Sequence, residues 1–377
     1  MGGNASVNDA AANVEMRPAF LAALHEAPLL VLHPPHMPRC DSNSPVIHDA
    51  EGRTIAFVSH HKPIGHSYRR IGRGGLATLG PAQQVRLLQD ASPLVGKWIE
   101  AVWQDPDGRL FGWLHAEVPA PGASHLFVPD ILRVVSEDGG RAWRSLGVLL
   151  RAPAALVDPD ARNGYFAGGY GDFCVLPDRA RRWLYIALTS YVADERRQGV
   201  ALIRHPIAAR DAPADSLAQT LECRAGGAWR ALRPQEPPPM WLPAARGWRH
   251  QDPDAFWGPA IHWNRGLGRF VMLLSRSRAG APAFRQDGVH WCSGEALERP
   301  EEWTAPQRLT QGGSWYPQVV GLGPDDSDTE AGSGARFFMA GRSGWRIRFA
   351  PRQPGTTEPE PLALSWEGRR LKQRPTG

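Results

Sequence analysis

The chain has 377 residues, long enough for one large β domain or two smaller ones, and its Gly 40, Pro 35 and Trp 15 suit many short strands joined by punctuated turns better than an α/β enzyme. The 43 Lys and Arg exceed the 38 Asp and Glu by only five, lysine occurs only at Lys62, Lys97 and Lys372, and the arginines lie scattered among acids, so no nucleic-acid surface is expected. No apolar run approaches a bilayer span, and Met1–Met16 lacks a basic region followed by an apolar stretch, so no membrane partner and no signal peptide are expected; the reading is a soluble protein, cytoplasmic by default.

Residues 1–28 read as an N-terminal arm with one short helix around Ala19–Glu26. From Leu29 onward the chain repeats a unit: a short apolar strand, a polar turn and an aromatic-rich apolar strand. The first copy is Ser44–Asp49, a turn at Glu51-Gly52, then Thr54–Val58. The second is Ile99–Trp103, a turn at Asp105–Gly108, then Leu110–Leu114. A further hairpin follows it over Ile131–Leu150, with Ser136–Trp143 as its link. There Asp138 can accept turn N–H bonds, the glycines can take φ > 0, and Trp143 can fold over the outer corner of the sheet. The third copy is Gly171–Leu176, a turn through Asp178, then Trp183–Leu188. Val200–Ile203 and a strand near Ala228–Leu232 follow it, around a long loop that is part helical near Asp215–Leu221. The fourth is Gly258–Trp263, a turn at Arg265-Gly266, then Phe270–Leu274, followed by a hairpin at Asp287 and by Trp303–Leu309. The fifth is Pro317–Val320, a Gly/Asp/Ser-rich loop whose Asp325–Gly334 reads as a flexible surface excursion, then Arg336–Ala340. In the tail, residues 355–377, Leu362–Trp366 is a candidate strand to close a ring in the first or last blade.

Five units sharing one internal order make an all-β chain, a five-bladed β-propeller of four-stranded antiparallel blades over residues 29–354. An irregular β-sandwich is the alternative. The pattern Ser136-x-Asp138-x-Gly140-x-x-Trp143 resembles the Asp-box hairpin of sialidase-like β-propellers, and a looser copy without the opening Ser stands at Arg285–Trp291. Asp-boxes mark blade corners away from active sites, so this motif speaks to fold and little to chemistry.

In a propeller the first strand of each blade lines the central channel. Aligning the five units places Ser44 (with Asp41 just before it), Glu100, Asp172, Gly258 and Pro317 at the starts of these strands. Three positions thus bring a carboxylate toward one axis. Gathered carboxylates repel, and at least one should stay protonated, as a general acid must. Glycoside hydrolysis uses one carboxylic acid on the leaving oxygen and one carboxylate on the other side. Trp98, Tyr170, Trp257, Trp315 and Tyr316 could stack on sugar faces, and His60, His61 and Arg70 could bind hydroxyls or an anionic group. An Asx-type turn at Asp41 and core or wall roles for the aromatics are the structural alternatives. Cys40, Cys174, Cys223 and Cys292 lie far apart with no Cys-x-x-Cys pair, which argues against zinc and favours buried free thiols.

As architecture, Leu29 to Phe349 resembles the five-bladed propeller glycosidases, the group of arabinanases, β-xylosidases and β-fructosidases. The resemblance implies a carbohydrate substrate in an axial funnel, with Asp41 as base or nucleophile, Glu100 as acid and Asp172 as modulator. The candidate Glu comes on the second unit and the Asp on the third, an order not expected in every member, and the absence of an Arg-Ile-Pro segment and of a clear arginine triad makes sialic acid an unlikely substrate. No cofactor is required by this reading, although a structural calcium on the axis is compatible with it. A non-catalytic propeller that binds glycans or a protein, and a phosphorylase built on His60, His61 and Arg70, are the competing functions. The oligomeric state is not encoded in any of these features.

Overall fold

The computed structural model describes residues 20–60, 66–88, 95–233, 235–353, 355–357 and 359–371. Five antiparallel-cored sheets of four to six strands follow one another along the chain as the blades of a propeller. Blade 1 is built on Val46–His48 and Arg53–His60, blade 2 on Gly96–Gln104 and Leu110–Ala120, and blade 3 on Tyr170–Pro177 and Trp183–Ser190. Blade 4 is built on Ala255–Asn264 and Arg269–Ser277, and blade 5 on Gln318–Gly321 and Gly334–Met339. In each pair the first strand is innermost. Among the described residues no helix is long and apolar enough to cross a membrane.

The near-continuous apolar runs seen in the sequence follow from this arrangement, because a blade is covered on both faces. Along Trp183–Ser190, Leu184, Ile186 and Leu188 join the core shared with blade 2, while Tyr185 and Ala187 join the core shared with blade 4. Similar cores join blades 1 and 2 (Phe57 with Val134 and Trp143) and blades 4 and 5 (Trp291 with Phe337). A fifth, with Val58 against Phe338, joins blade 5 back to blade 1 and completes the circle.

At the Ser136–Trp143 link, Asp138 Oδ1 accepts the Arg141 and Ala142 N–H groups at 2.9 and 3.0 Å, and Trp143 Nε1 donates to the Gly140 carbonyl at 3.1 Å. Gly140 has φ +83° and a Cβ there would fall 2.5 Å from Phe57 Cζ, so glycine is required. Trp143 is fully buried, edge-on to Phe57 at 5.6 Å, and so wedges blade 1 against blade 2 rather than covering an outer corner. Arg285–Trp291 does not form the same turn. Asp287 precedes the third strand of blade 4, Gly288–Gly294, and its carboxylate pairs with Arg308.

Three expectations are corrected. Residues 20–31 form a strand, Phe20–Val31, paired with Arg342–Pro351, where a helix around Ala19–Glu26 was expected. Their Ala, Leu and Glu favour helix in isolation, but the open edge of blade 5 supplies ladder partners that outweigh that preference. This strand also closes the ring, completing the last blade from the opposite end of the chain. Leu362–Leu364 instead pairs in parallel with Thr310–Gly312, outside the first and last blades. Finally, the Asp325–Gly334 loop is packed inward: Asp328 Oδ1 accepts the Val46 N–H at 2.9 Å, and Glu330–Ala331 pairs with the inner strand of blade 4.

Candidate active site

The inner strands of blades 2, 3 and 4 each carry a β-bulge, at Ile99/Ala101, Gly171/Cys174 and Trp257/Ala260. A bulge leaves a residue outside the ladder and re-aims its side chain. In blade 2 that residue is Glu100. In blade 3 the gap holds Asp172 and Phe173, and Asp172 has a φ of +44°, rare for a non-glycine residue and held from several sides. Thr189 Oγ1 donates to the Asp172 carbonyl at 3.2 Å, the Tyr191 hydroxyl donates to Asp172 Oδ2, and Thr189 Oγ1 also accepts the N–H of bulged Gly258 at 3.0 Å.

Between the two carboxylates stands His115, from the second strand of blade 2. Its Nδ1 lies 3.4 Å from Glu100 Oε2 and 4.0 Å from Asp172 Oδ1, and its Nε2 lies 3.7 Å from Glu117 Oε1. Glu100, His115 and Asp172 are all at most 5 % exposed. Burial pushes the Glu100 carboxyl up to about 7, with the His115 hydrogen bond and charge pulling it back and Asp172 adding to the rise. Burial opposes a charged His115, but its hydrogen bond to Glu100 and the charges of Asp172, Glu100 and Glu117 win and lift it to about 9. Asp172 is also raised, by burial first, against the opposing pull of His115, Tyr191 and Tyr316.

Above this cluster opens a cavity of about 380 Å³. Its carboxylates are Asp41, Glu117 and Asp172, and Trp98, Trp257, Trp315 and Tyr316 contribute to its walls. Glu100 does not line it, being sealed beneath His115. Tyr170 is also absent from it: it is buried in the core between blades 2 and 3. The Arg70 guanidinium is fully engaged elsewhere, donating to the carbonyls of Val31, Leu32, Leu79 and Gly80 at 2.6–3.2 Å. His60 ends its strand opposite His66 and does not line the cavity, and His61 lies outside the described residues. His60 and Arg70, two of the three residues behind the phosphorylase reading, are therefore not at the cavity.

Sequence reasoning missed His115, Glu117, Tyr165, Phe166, Tyr191, Phe284 and Arg39. A signal existed for the first two: His115 and Glu117 stand two apart in an apolar strand and so share a face. Phe284 and Phe166 come from connecting loops, where no periodicity marks them. Phe284, at φ +59°, stacks on Trp248 at 4.6 Å and meets the edge of Trp257 at 5.2 Å, which stiffens the aromatic wall. The four cysteines are buried free thiols.

Glu100, His115 and Asp172 bring one potential ligand atom each within 4.8 Å of one another. Calcium takes about six to eight oxygen ligands. This set offers two carboxylates and one imidazole nitrogen, and the Asp172 N–H already points at His115 Nδ1 at 3.2 Å, so the three side chains fall short of a calcium shell by themselves.

No family model matches the chain, and no curated protein matches it. Among solved structures it is similar to an exo-β-1,3-galactanase of Phanerochaete chrysosporium with β-1,3-galactotriose, at 10% identity and TM-score 0.47, over 89% of this chain and 65% of that one, just under two thirds of its length. It is similar to an arabinanase of Bacillus subtilis at 11% identity and TM-score 0.47, over 83% and 95% of the two chains. It is also similar to an α-L-arabinofuranosidase of Podospora anserina in complex with cellotriose, at 12% identity and TM-score 0.47, over 88% and 97%.

Proposed function

We propose that this protein is a glycoside hydrolase whose substrate enters the axial cavity. The observation that carries the proposal is the pairing of Asp41 and Asp172 on one aromatic-walled cavity, over a buried Glu100–His115 pair. Sugars present apolar faces to aromatic rings and hydroxyls to carboxylates, and such a cavity offers both. Asp172, raised by burial and open to the cavity, is the general acid in this reading. Asp41 is the base or nucleophile. Glu100 exchanges the acid role implied by the family resemblance for that of modulator: through His115 it sets the charge beside Asp172 without touching a sugar. The burial of Glu100 and His115 strengthens that coupling.

The Tyr191 hydroxyl bonded to Asp172 favours a second reading, a non-catalytic glycan-binding propeller in which this carboxylate is structural. Hydrolysis of a panel of aryl glycosides and polysaccharides decides between them. The glycosidase reading expects sugar release that is lost in folded Asp41→Asn and, on polysaccharides and aryl glycosides with poor leaving groups, in folded Asp172→Asn. Glycan binding with no release from any substrate by folded wild type would leave the binding reading.

A further inference from the structure

The axial cavity has an arginine in its wall whose environment the hydrolytic chemistry does not use. The Arg39 guanidinium carbon lies 5.1 Å from the Trp315 ring centroid and 5.4 Å from that of Trp366, in the notch of two indoles that meet at 87°. Trp315 is itself fixed by its Nε1 donating to the Phe284 carbonyl at 2.6 Å. Among the described residues Arg39 makes no ion pair and no side-chain hydrogen bond, so its N–H fork is held in position by ring contacts alone. A planar fork so held can present two parallel N–H groups to two oxygens of an anion.

Arg39 also borders a second cavity of about 560 Å³, between the N-terminal strand, blade 5 and the segment around Trp366. There Arg342, Arg369 and Arg370 face Glu26 and Glu367, four arginines against two acids once Arg39 is counted. The axis is thus acidic and the neighbouring cavity basic, with Arg39 at the junction.

The geometry points to an acidic glycan as the ligand. The sugar unit at the axis meets the carboxylates, and an anionic group on the adjoining unit, a uronate carboxylate or a sulfate ester, is held by Arg39, with the chain continuing toward Arg342 and Arg369. This names the substrate class of the proposed hydrolase and rests on that reading for the unit at the axis.

Calorimetric binding without turnover tests it, in an Asp172→Asn background checked for folding by thermal melting, and in parallel with wild type at low temperature. The probes are a uronate-containing oligosaccharide, its carboxyl-reduced neutral counterpart, and a sulfated oligosaccharide of equal length. The uronate form should bind at least about tenfold more tightly than the neutral one, about 1.4 kcal/mol. Added salt should shrink the preference, and Arg39→Gln should reduce it to about twofold or less. Arg39→Lys, which keeps the charge but not the planar fork, should retain only part of it. Equal preference for the sulfated probe would identify a general anion subsite, and selectivity for uronate a carboxylate subsite. Equal affinity for acidic and neutral forms, or a preference that survives in Arg39→Gln, would overturn the inference. Acid-selective binding with no hydrolysis would sink the hydrolase reading alone, whereas hydrolysis of neutral glycans without acid selectivity would sink only this one.

Discussion

Replacing Glu100 by glutamine keeps the shape of a buried side chain and removes its titration. Burial raises this carboxyl from the ordinary 4.5 to about 7. A group with a raised folded-state pKa contributes stability that is fully present below its unfolded value and lost as pH rises through the folded one. Here the window runs from about 4.5 to about 7, and at about 1.4 kcal/mol per pH unit the loss is on the order of a few kcal/mol. His115, raised to about 9, loses stability in the same direction between its ordinary 6.5 and about 9, and without Glu100 part of that limb disappears too. Glu100→Gln should therefore match the wild type within about 1 kcal/mol at pH 4.5 and exceed it by a few kcal/mol, on the order of 1.4 per pH unit crossed, at pH 8. Urea unfolding at the two pH values measures this. A stability difference that does not change between them would refute the reasoning, because Glu100 would then be titrating outside that window.

Other substitutions probe other parts of the same account. Tyr191→Phe removes the hydroxyl that favours the ionised form of Asp172 and should move the limb of the kcat/KM pH profile that reports the general acid to higher pH; an unmoved limb would contradict Asp172 as that acid. In Gly171→Ala the new Cβ would fall 2.5 Å from His115 Cε1, so the ring must move, and activity should drop about tenfold or more without any loss of a cavity-lining group. Trp143→Ala empties the wedge between blades 1 and 2 and should cost about 3–5 kcal/mol in urea unfolding, with a cost under about 1 kcal/mol contradicting the packing assigned to it.

The repeat was legible because each blade is covered on both faces, which turns its inner two strands into apolar runs that stand out between turns. Glu100 and Asp172 were legible for the same reason, as carboxylates within such runs. What their roles would be was not legible, since the bulge at Ile99/Ala101 leaves Glu100 beneath His115 while the one at Gly171/Cys174 leaves Asp172 at the cavity. Tyr170 and Arg70 show the complementary failure: a polar or aromatic residue near a strand start reads alike whether it meets a ligand, fills a core or caps carbonyls. The Phe20–Val31 strand escaped because its partner, Arg342–Pro351, is some three hundred residues away and its own composition favours helix.

The assignment of Asp172 as acid and Glu100 as modulator is tested most directly by leaving-group dependence. Aryl glycosides with good and poor leaving groups are compared in wild type, Asp172→Asn and Glu100→Gln. An acid is needed only when the leaving oxygen requires a proton, so Asp172→Asn should lose about 10²–10⁴-fold on the poor leaving group and far less on the good one. Glu100→Gln should keep the wild-type dependence while its pH profile shifts. The reverse pattern, with leaving-group dependence appearing in Glu100→Gln and not in Asp172→Asn, would contradict the account and return the acid role to Glu100.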